Sequence, residues 1–182
     1  VIVLWLQPSQ ADQLVAQAYA DFPRETCGLI GGFRRGNIDQ VSEIIPIQNT
    51  APDPIHAYRM DERALAAALT GLEKRGLTLV GIYHSHPQGD PVPSRQDIHE
   101  AAYPHTAYLI IGMKGDATRL AAWTINYGSV ERVELHTAAN PPSHPTSTRA
   151  ANVAILIAGL IGFIFLIVVS LSLLPPAPEI PR

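Results

Sequence analysis

Apolar and polar positions alternate along the chain in two periods, and the change from one to the other marks the elements. Val1–Leu6 is a short apolar run with strand character. After Pro8-Ser9, apolar residues recur at Ala11, Leu14, Val15, Ala18 and Tyr19, the spacing of one helix face, and the pattern stops near Asp21–Pro23. Thr26–Phe33 and Val41–Ile47 read as strands joined by the turn residues Arg35-Gly36-Asn37, and Asn49–Ile55, with two prolines, reads as loop. Asp61 is an N-cap for a helix over Glu62–Arg75, and Gly76 closes it. Leu77–His84 is a buried-looking strand that runs into the loop Pro87–Pro93, after which Ser94 caps a short helix over Arg95–Ala102. Thr106–Met113, Arg119–Asn126 and Ser129–His136 are three more strands, the last two joined at Tyr127-Gly128. Helices and strands in this irregular order indicate a mixed α/β (α+β) domain with one central sheet rather than a βαβ repeat.

Beyond that domain the pattern changes. Residues 137–150 are rich in Pro, Ser, Thr and Ala and read as a linker. Within the 151–174 stretch, Val153–Leu174 carries no charge and only two serines. As a helix it is about 33 Å long, close to the thickness of a bilayer core. The expectation is therefore a domain over 1–136, a linker over 137–150, a single membrane-spanning helix over 151–174 and a short tail over 175–182. The opening run lacks the basic leader and cleavage site of a secretory signal, so the domain is expected on the cytoplasmic side of a membrane.

Composition changes this picture little. The net charge of -3 provides no basic footprint, which argues against nucleic acid as a partner. The only cysteine, Cys27, has no partner for an internal disulfide, and its apolar neighbours Leu29 and Ile30 suggest a buried, inert thiol.

Candidate chemistry is concentrated in Val80-Gly81-Ile82-Tyr83-His84-Ser85-His86-Pro87, followed by Ser94 and Asp97. Residues two apart on a strand share a face, so His84 and His86 present both imidazoles to one point while Ser85 points away. Asp97, one turn into the next helix, can return a carboxylate to the same place. Two imidazoles and a carboxylate make a three-ligand catalytic zinc set with a fourth position left for water. Such a site also needs a proton carrier and an oxyanion donor. Glu25, just before a buried strand, suits the first role, and the Ser94 hydroxyl suits the second. Taken singly, each residue has a plainer explanation: Ser94 with Asp97 is also a good helix N-terminus, and Glu25 alone is an ordinary carboxylate. His56, His99, His105, His136 and His144 have no partner at ligand spacing and read as structural or exposed.

Together the residues are more specific. Glu25 in Glu-Thr-Cys-Gly-Leu, then His84-Ser85-His86-Pro87, then Ser94 and Asp97 resemble the signature of the JAMM (MPN+) metalloproteases, a Glu followed by His-x-His-x7-Ser-x2-Asp. The resemblance covers about residues 1–136. It implies a cytidine-deaminase-like fold with a curved mixed sheet flanked by helices, and zinc held by His84, His86 and Asp97. It also implies Glu25 as general acid/base and Ser94 as oxyanion donor. Family enzymes hydrolyse isopeptide or peptide bonds after the C-terminal glycines of ubiquitin-like proteins, and small prokaryotic members act on β-grasp proteins including sulfur carriers. The expected partner is thus a ubiquitin-like or sulfur-carrier protein. The alternatives are a non-catalytic membrane-tethered scaffold and a hydrolase of a small carrier-protein–amino-acid adduct. Asn49–Tyr58 and Gln88–Pro93 are the expected walls of the substrate surface.

Overall fold

The computed structural model describes residues 2–142, 162–167 and 169. Val1–Pro142 forms one compact unit. Its elements are β1 (Val3–Leu6), α1 (Pro8–Asp21), β2 (Cys27–Arg35), β3 (Ile38–Ile47), α2 (Glu62–Lys74), β4 (Thr78–His86), α3 (Arg95–Glu100), β5 (Ala107–Gly112), β6 (Arg119–Asn126) and β7 (Ser129–Thr137). These are the expected elements, with ends moved by a few residues. The change that matters is at β4, which extends through His86 and so keeps both histidines on a strand.

The curved mixed sheet goes further than expected and closes into a barrel in the order β1-β3-β2-β4-β5-β6-β7. The seam is β1, which pairs in parallel with β3 on one side and β7 on the other. No local hydropathy pattern reports such a seam, because both pairings join segments far apart in the chain. β4 and β5 are also parallel, and the remaining pairs are antiparallel.

The two larger apolar clusters among the described residues follow from side-chain alternation. Leu14 and Ala18 of α1 join Leu4, Leu6, Ile30, Val80, Tyr83, Leu109 and Ile111 in one. On the opposite face of the sheet, Leu72 of α2, with Leu65 and Leu69, packs on Leu29, Ile47 and Ile82. Each fully buried Leu or Ile contributes roughly 1.5–3 kcal/mol of transfer free energy. α2 starts at Asp61, whose carboxylate accepts from the Ala64 N–H at 2.8 Å, and ends at Gly76, in the left-handed region with φ +68°.

One expectation is corrected. Among the described residues, no helix is long and apolar enough to cross a membrane. Of the stretch 151–174, Gly162–Ile167 and Val169 are described and helical, and the remaining positions lie outside the described residues. An apolar run states hydropathy and length, and neither establishes a continuous spanning helix. The membrane placement read from the sequence is therefore withdrawn. Most of the expected linker, residues 143–150, also lies outside the described residues, whereas Thr137 ends β7 and the Ala138 N–H donates to the Leu6 carbonyl at 3.1 Å.

Candidate active site

The cleft forms at the C-terminal end of β4. β2 runs antiparallel to β4 with Cys27 opposite His84. This register carries Glu25, just ahead of β2, to the end of β4 that bears His86. Alternation on β4 sends Tyr83 to the α1 core, while Ile82 and the two histidines face the other way. Ser85 points away, as expected: it is fully buried, and its hydroxyl accepts from the Thr26 N–H at 2.9 Å. The loop after β4 leads to Ser94 at the head of α3. There the Asp97 N–H donates to Ser94 Oγ at 3.1 Å, and Asp97 Oδ2 accepts from the Ser94 N–H at 2.6 Å. This reciprocal box satisfies two otherwise unpaired N–H groups and holds the Asp97 carboxylate toward the strand.

His84, His86 and Asp97 each present one ligand atom within 4.8 Å of the others. His84 Nε2 lies 3.0 Å from His86 Nε2, 3.3 Å separates His84 Nε2 from Asp97 Oδ1 and 3.4 Å separates His86 Nε2 from Asp97 Oδ2. Donors about 2.0–2.1 Å from a tetrahedral zinc stand roughly 3.3 Å apart, so each of these separations is of the size one ion requires, the two histidines meeting different oxygens of Asp97. The donor chemistry, two imidazoles and a carboxylate, fits the same ion. His86 is oriented from behind by an Nδ1 contact to the Asp90 carbonyl at 3.0 Å, which leaves Nε2 as the inward atom.

Burial and the Asp97 carboxylate act differently on the two histidines. Complete burial is the main influence on His84 and holds its pKa below the ordinary value, so the ring is neutral at neutral pH as a metal ligand must be. For His86, burial works toward a lower pKa but is outweighed by the Asp97 carboxylate and the Asp90 carbonyl, and the net shift is upward. Burial pushes the Asp97 carboxyl up, yet its bonds to the two histidines prevail and hold it well below the usual carboxylate range. Glu25 is 7% exposed. Desolvation raises its pKa to about 7, with nearby His86 opposing the rise and Asp97 adding to it. A carboxyl poised there can both accept and release a proton near neutrality.

A cavity of about 240 Å³ unites these groups, lined by Glu25, His86, Ser94 and Asp97. The five residues singled out in the sequence meet at one place, with His84 fully buried against His86 and Asp97. Ile55–Tyr58 and Gln88–Gly89, within the segments expected to flank the site, make the walls together with Pro87. Three residues of the expected Asn49–Tyr58 wall take parts that the sequence reading did not assign. His56 lines the cavity and pairs through Nδ1 with Asp53 at 2.9 Å. Tyr58 stacks on His84, and Asn49 donates to the Glu25 carbonyl at 2.9 Å. None has a spacing relation to the motif; only the loop's position brings them in. Cys27 is fully buried, and burial raises its thiol pKa to about 12, in keeping with an inert core thiol.

The wall after β4 is held by close packing. A Cβ on Gly112 would stand 2.5 Å from the Pro91 nitrogen, Trp123 Nε1 donates to the Pro91 carbonyl at 2.9 Å, and Arg119 reaches Asp90 at 2.5 Å. Gly112→Ala is therefore expected to push the 90–91 segment off β5 and disturb the Asp90 carbonyl behind His86. Thermal unfolding should show a loss of several degrees, on the scale of roughly 1–3 kcal/mol for an overpacked site. An unchanged melting temperature would rule out this rigid contact.

Known proteins sharpen this chemistry. The chain is 39% identical over 114 residues to a probable TtuB-protein conjugate cleaving protease of Thermus thermophilus, which spans 63% of this chain and 73% of that protein. It is 38% identical over 101 residues to a desampylase of Haloferax volcanii, 56% of this chain and 71% of that one. A solution structure of a Desulfitobacterium hafniense protein superposes with a TM-score of 0.69 at 28% identity, covering 79% of this chain and 97% of the other. The protein is a hydrolase of JAMM type. More narrowly, it belongs to the prokaryotic homologs of the JAB domain, whose family model matches residues 7–126.

Proposed function

We propose that this chain is a zinc peptidase that cleaves the bond formed by the C-terminus of a ubiquitin-like or sulfur-carrier protein. The observation that carries this reading is the convergence of the His84, His86 and Asp97 donor atoms in one cleft with a buried glutamate. Two relatives named for cleaving TtuB-protein conjugates and for desampylation support the substrate class.

In this reading His84 and His86 hold the metal through Nε2, and Asp97 holds it through a carboxylate oxygen. Zinc, when bound, supplies a Lewis acid that activates water and polarises a carbonyl. Glu25 takes a proton from the attacking water and returns it to the leaving amine, a two-way task suited to a pKa of about 7. Ser94 Oγ already accepts from the Asp97 N–H, so its own hydroxyl proton is available to stabilise the oxyanion formed on the scissile carbonyl. The capping box thus holds both the ligand carboxylate and the donor hydroxyl in place.

The test is a cleavage assay on a β-grasp carrier ending in Gly-Gly and fused through that terminus to a reporter. Cleavage after the last glycine is expected, lost on zinc chelation and restored by added zinc. A zinc-loaded chain that leaves such fusions intact, or one whose cleavage survives complete chelation, would overturn the proposal.

A further inference from the structure

The two histidines of the site are oriented in different ways. His86 has its rear nitrogen against the Asp90 carbonyl at 3.0 Å. His84 is fully buried, and its Nδ1 has no hydrogen-bond partner among the described residues. A metal-binding imidazole is usually oriented by a bond from its second nitrogen, and loss of that support costs metal affinity. What His84 has instead is a ring contact. Tyr58 lies over it with centroids 4.5 Å apart and planes 23° from parallel.

Tyr58 is itself held tightly. The Asn49 side chain donates to the carbonyl of Ala57 at 3.0 Å and accepts from the Arg59 N–H at 3.0 Å, gripping the residues on both sides of Tyr58. The same amide donates to the Glu25 carbonyl and accepts from the Ala51 N–H, each at 2.9 Å, so its two donors and its acceptor oxygen are fully used. The Thr50 N–H closes the loop on the Arg59 carbonyl at 2.7 Å. A tyrosine anchored this way can hold another ring's plane.

We infer that Tyr58 is a positioning residue for His84, fixing by stacking the ring plane that an outer hydrogen bond would otherwise fix, with Asn49 as the clamp that holds Tyr58 there. The inference rests on the proposed role of His84 as a metal ligand. The aromatic face supplies the effect and the phenolic hydroxyl does not, since the contact is between ring planes.

The experiment is zinc competition against a chromophoric chelator, with the 182-residue chain as wild type, Tyr58→Phe and Tyr58→Leu. The cobalt(II) spectrum and metal-free thermal unfolding of each are recorded alongside. Phe should keep zinc affinity within about two-fold and preserve the cobalt spectrum, while Leu should weaken zinc by roughly 10- to 100-fold and change that spectrum. Equal zinc affinity and an unchanged cobalt spectrum in Tyr58→Leu would overturn the inference while leaving the metal assignment standing. A wild-type chain that binds no zinc would overturn the metal assignment and the inference with it. If metal-free Tyr58→Leu does not fold, Tyr58→Met carries the test: it fills similar space without a planar face, and undiminished affinity in that variant counts against the inference.

Discussion

Glu25→Gln is expected to lower turnover by roughly 10²–10⁴-fold, the usual contribution of a positioned proton carrier, while zinc content is unchanged. Glutamine has the shape of glutamate and keeps the backbone contacts of position 25, the N–H to the Pro54 carbonyl and the carbonyl to Asn49. Only proton exchange is removed. The same substitution should stabilise the metal-free fold at alkaline pH. Burial raises the Glu25 pKa from 4.5 to about 7 in the folded state, so the folded protein binds this proton more tightly than the unfolded chain. The wild type therefore loses stability as pH rises through that interval and stays weakened above it. Glutamine carries no charge to bury. The expected result is a melting temperature a few degrees above wild type at pH 8, with the gap closing below pH 4.5. Activity retained in Glu25→Gln would sink the proton-carrier role. A stability gap that does not depend on pH would sink the electrostatic account.

Asp97 should have the second-largest effect, and two substitutions separate its two tasks. Asp97→Asn keeps a side-chain oxygen for the Ser94 N–H but removes the anionic ligand. It should weaken zinc by more than about 10²-fold, since even supporting residues around a metal contribute 10–100-fold. Asp97→Ala should lose the metal equally and also lose half of the capping box, costing about 1 kcal/mol more at the start of α3. The pH signature is opposite to that of Glu25. The folded-state pKa of Asp97 is depressed by His84 and His86, so its contribution is present at neutral pH and is lost as acid titrates it below the ordinary aspartate range. In the metal-free protein this acid sensitivity should shrink in both variants. Metal analysis after dialysis, with unfolding followed from pH 7 to pH 2, checks both parts. Full zinc retention in Asp97→Asn would remove Asp97 from the ligand set.

How far the site was legible depends on which contacts are local. His84 and His86 are two apart on a strand, and that period alone places both rings on one face. Ser94 and Asp97 are three apart at a helix start, which reads from sequence as a good helix N-terminus, while the reciprocal bonds of the box are a finding of the structure. The walls at Asn49–Tyr58 and Gln88–Pro93 were legible as loops beside the motif. Glu25 is different: its type and its place before a strand were visible, but its proximity to His86 comes from the antiparallel register of β2 on β4. Tyr58 and Asn49 were not legible as contributors, because their contacts cross from the loop to β4 and to the segment before β2. Hydropathy misleads at 151–174, where an apolar run reads as a membrane span that no described helix provides.

By itself, then, the sequence determined the element types, the histidine pair on one strand face, the helix start at Ser94–Asp97 and the family signature that links them. These are properties of neighbouring residues, governed by backbone periods of two and of 3.6. Tertiary structure alone decided that β1 closes the barrel, that Glu25 stands near its half-ionised state beside the donor triangle, and that an aromatic ring steadies His84. Closure depends on pairing between distant strands, and the glutamate's pKa depends on how much water the fold excludes. The stack depends on where a clamped loop comes to rest, and none of the three is written in the order of neighbouring residues.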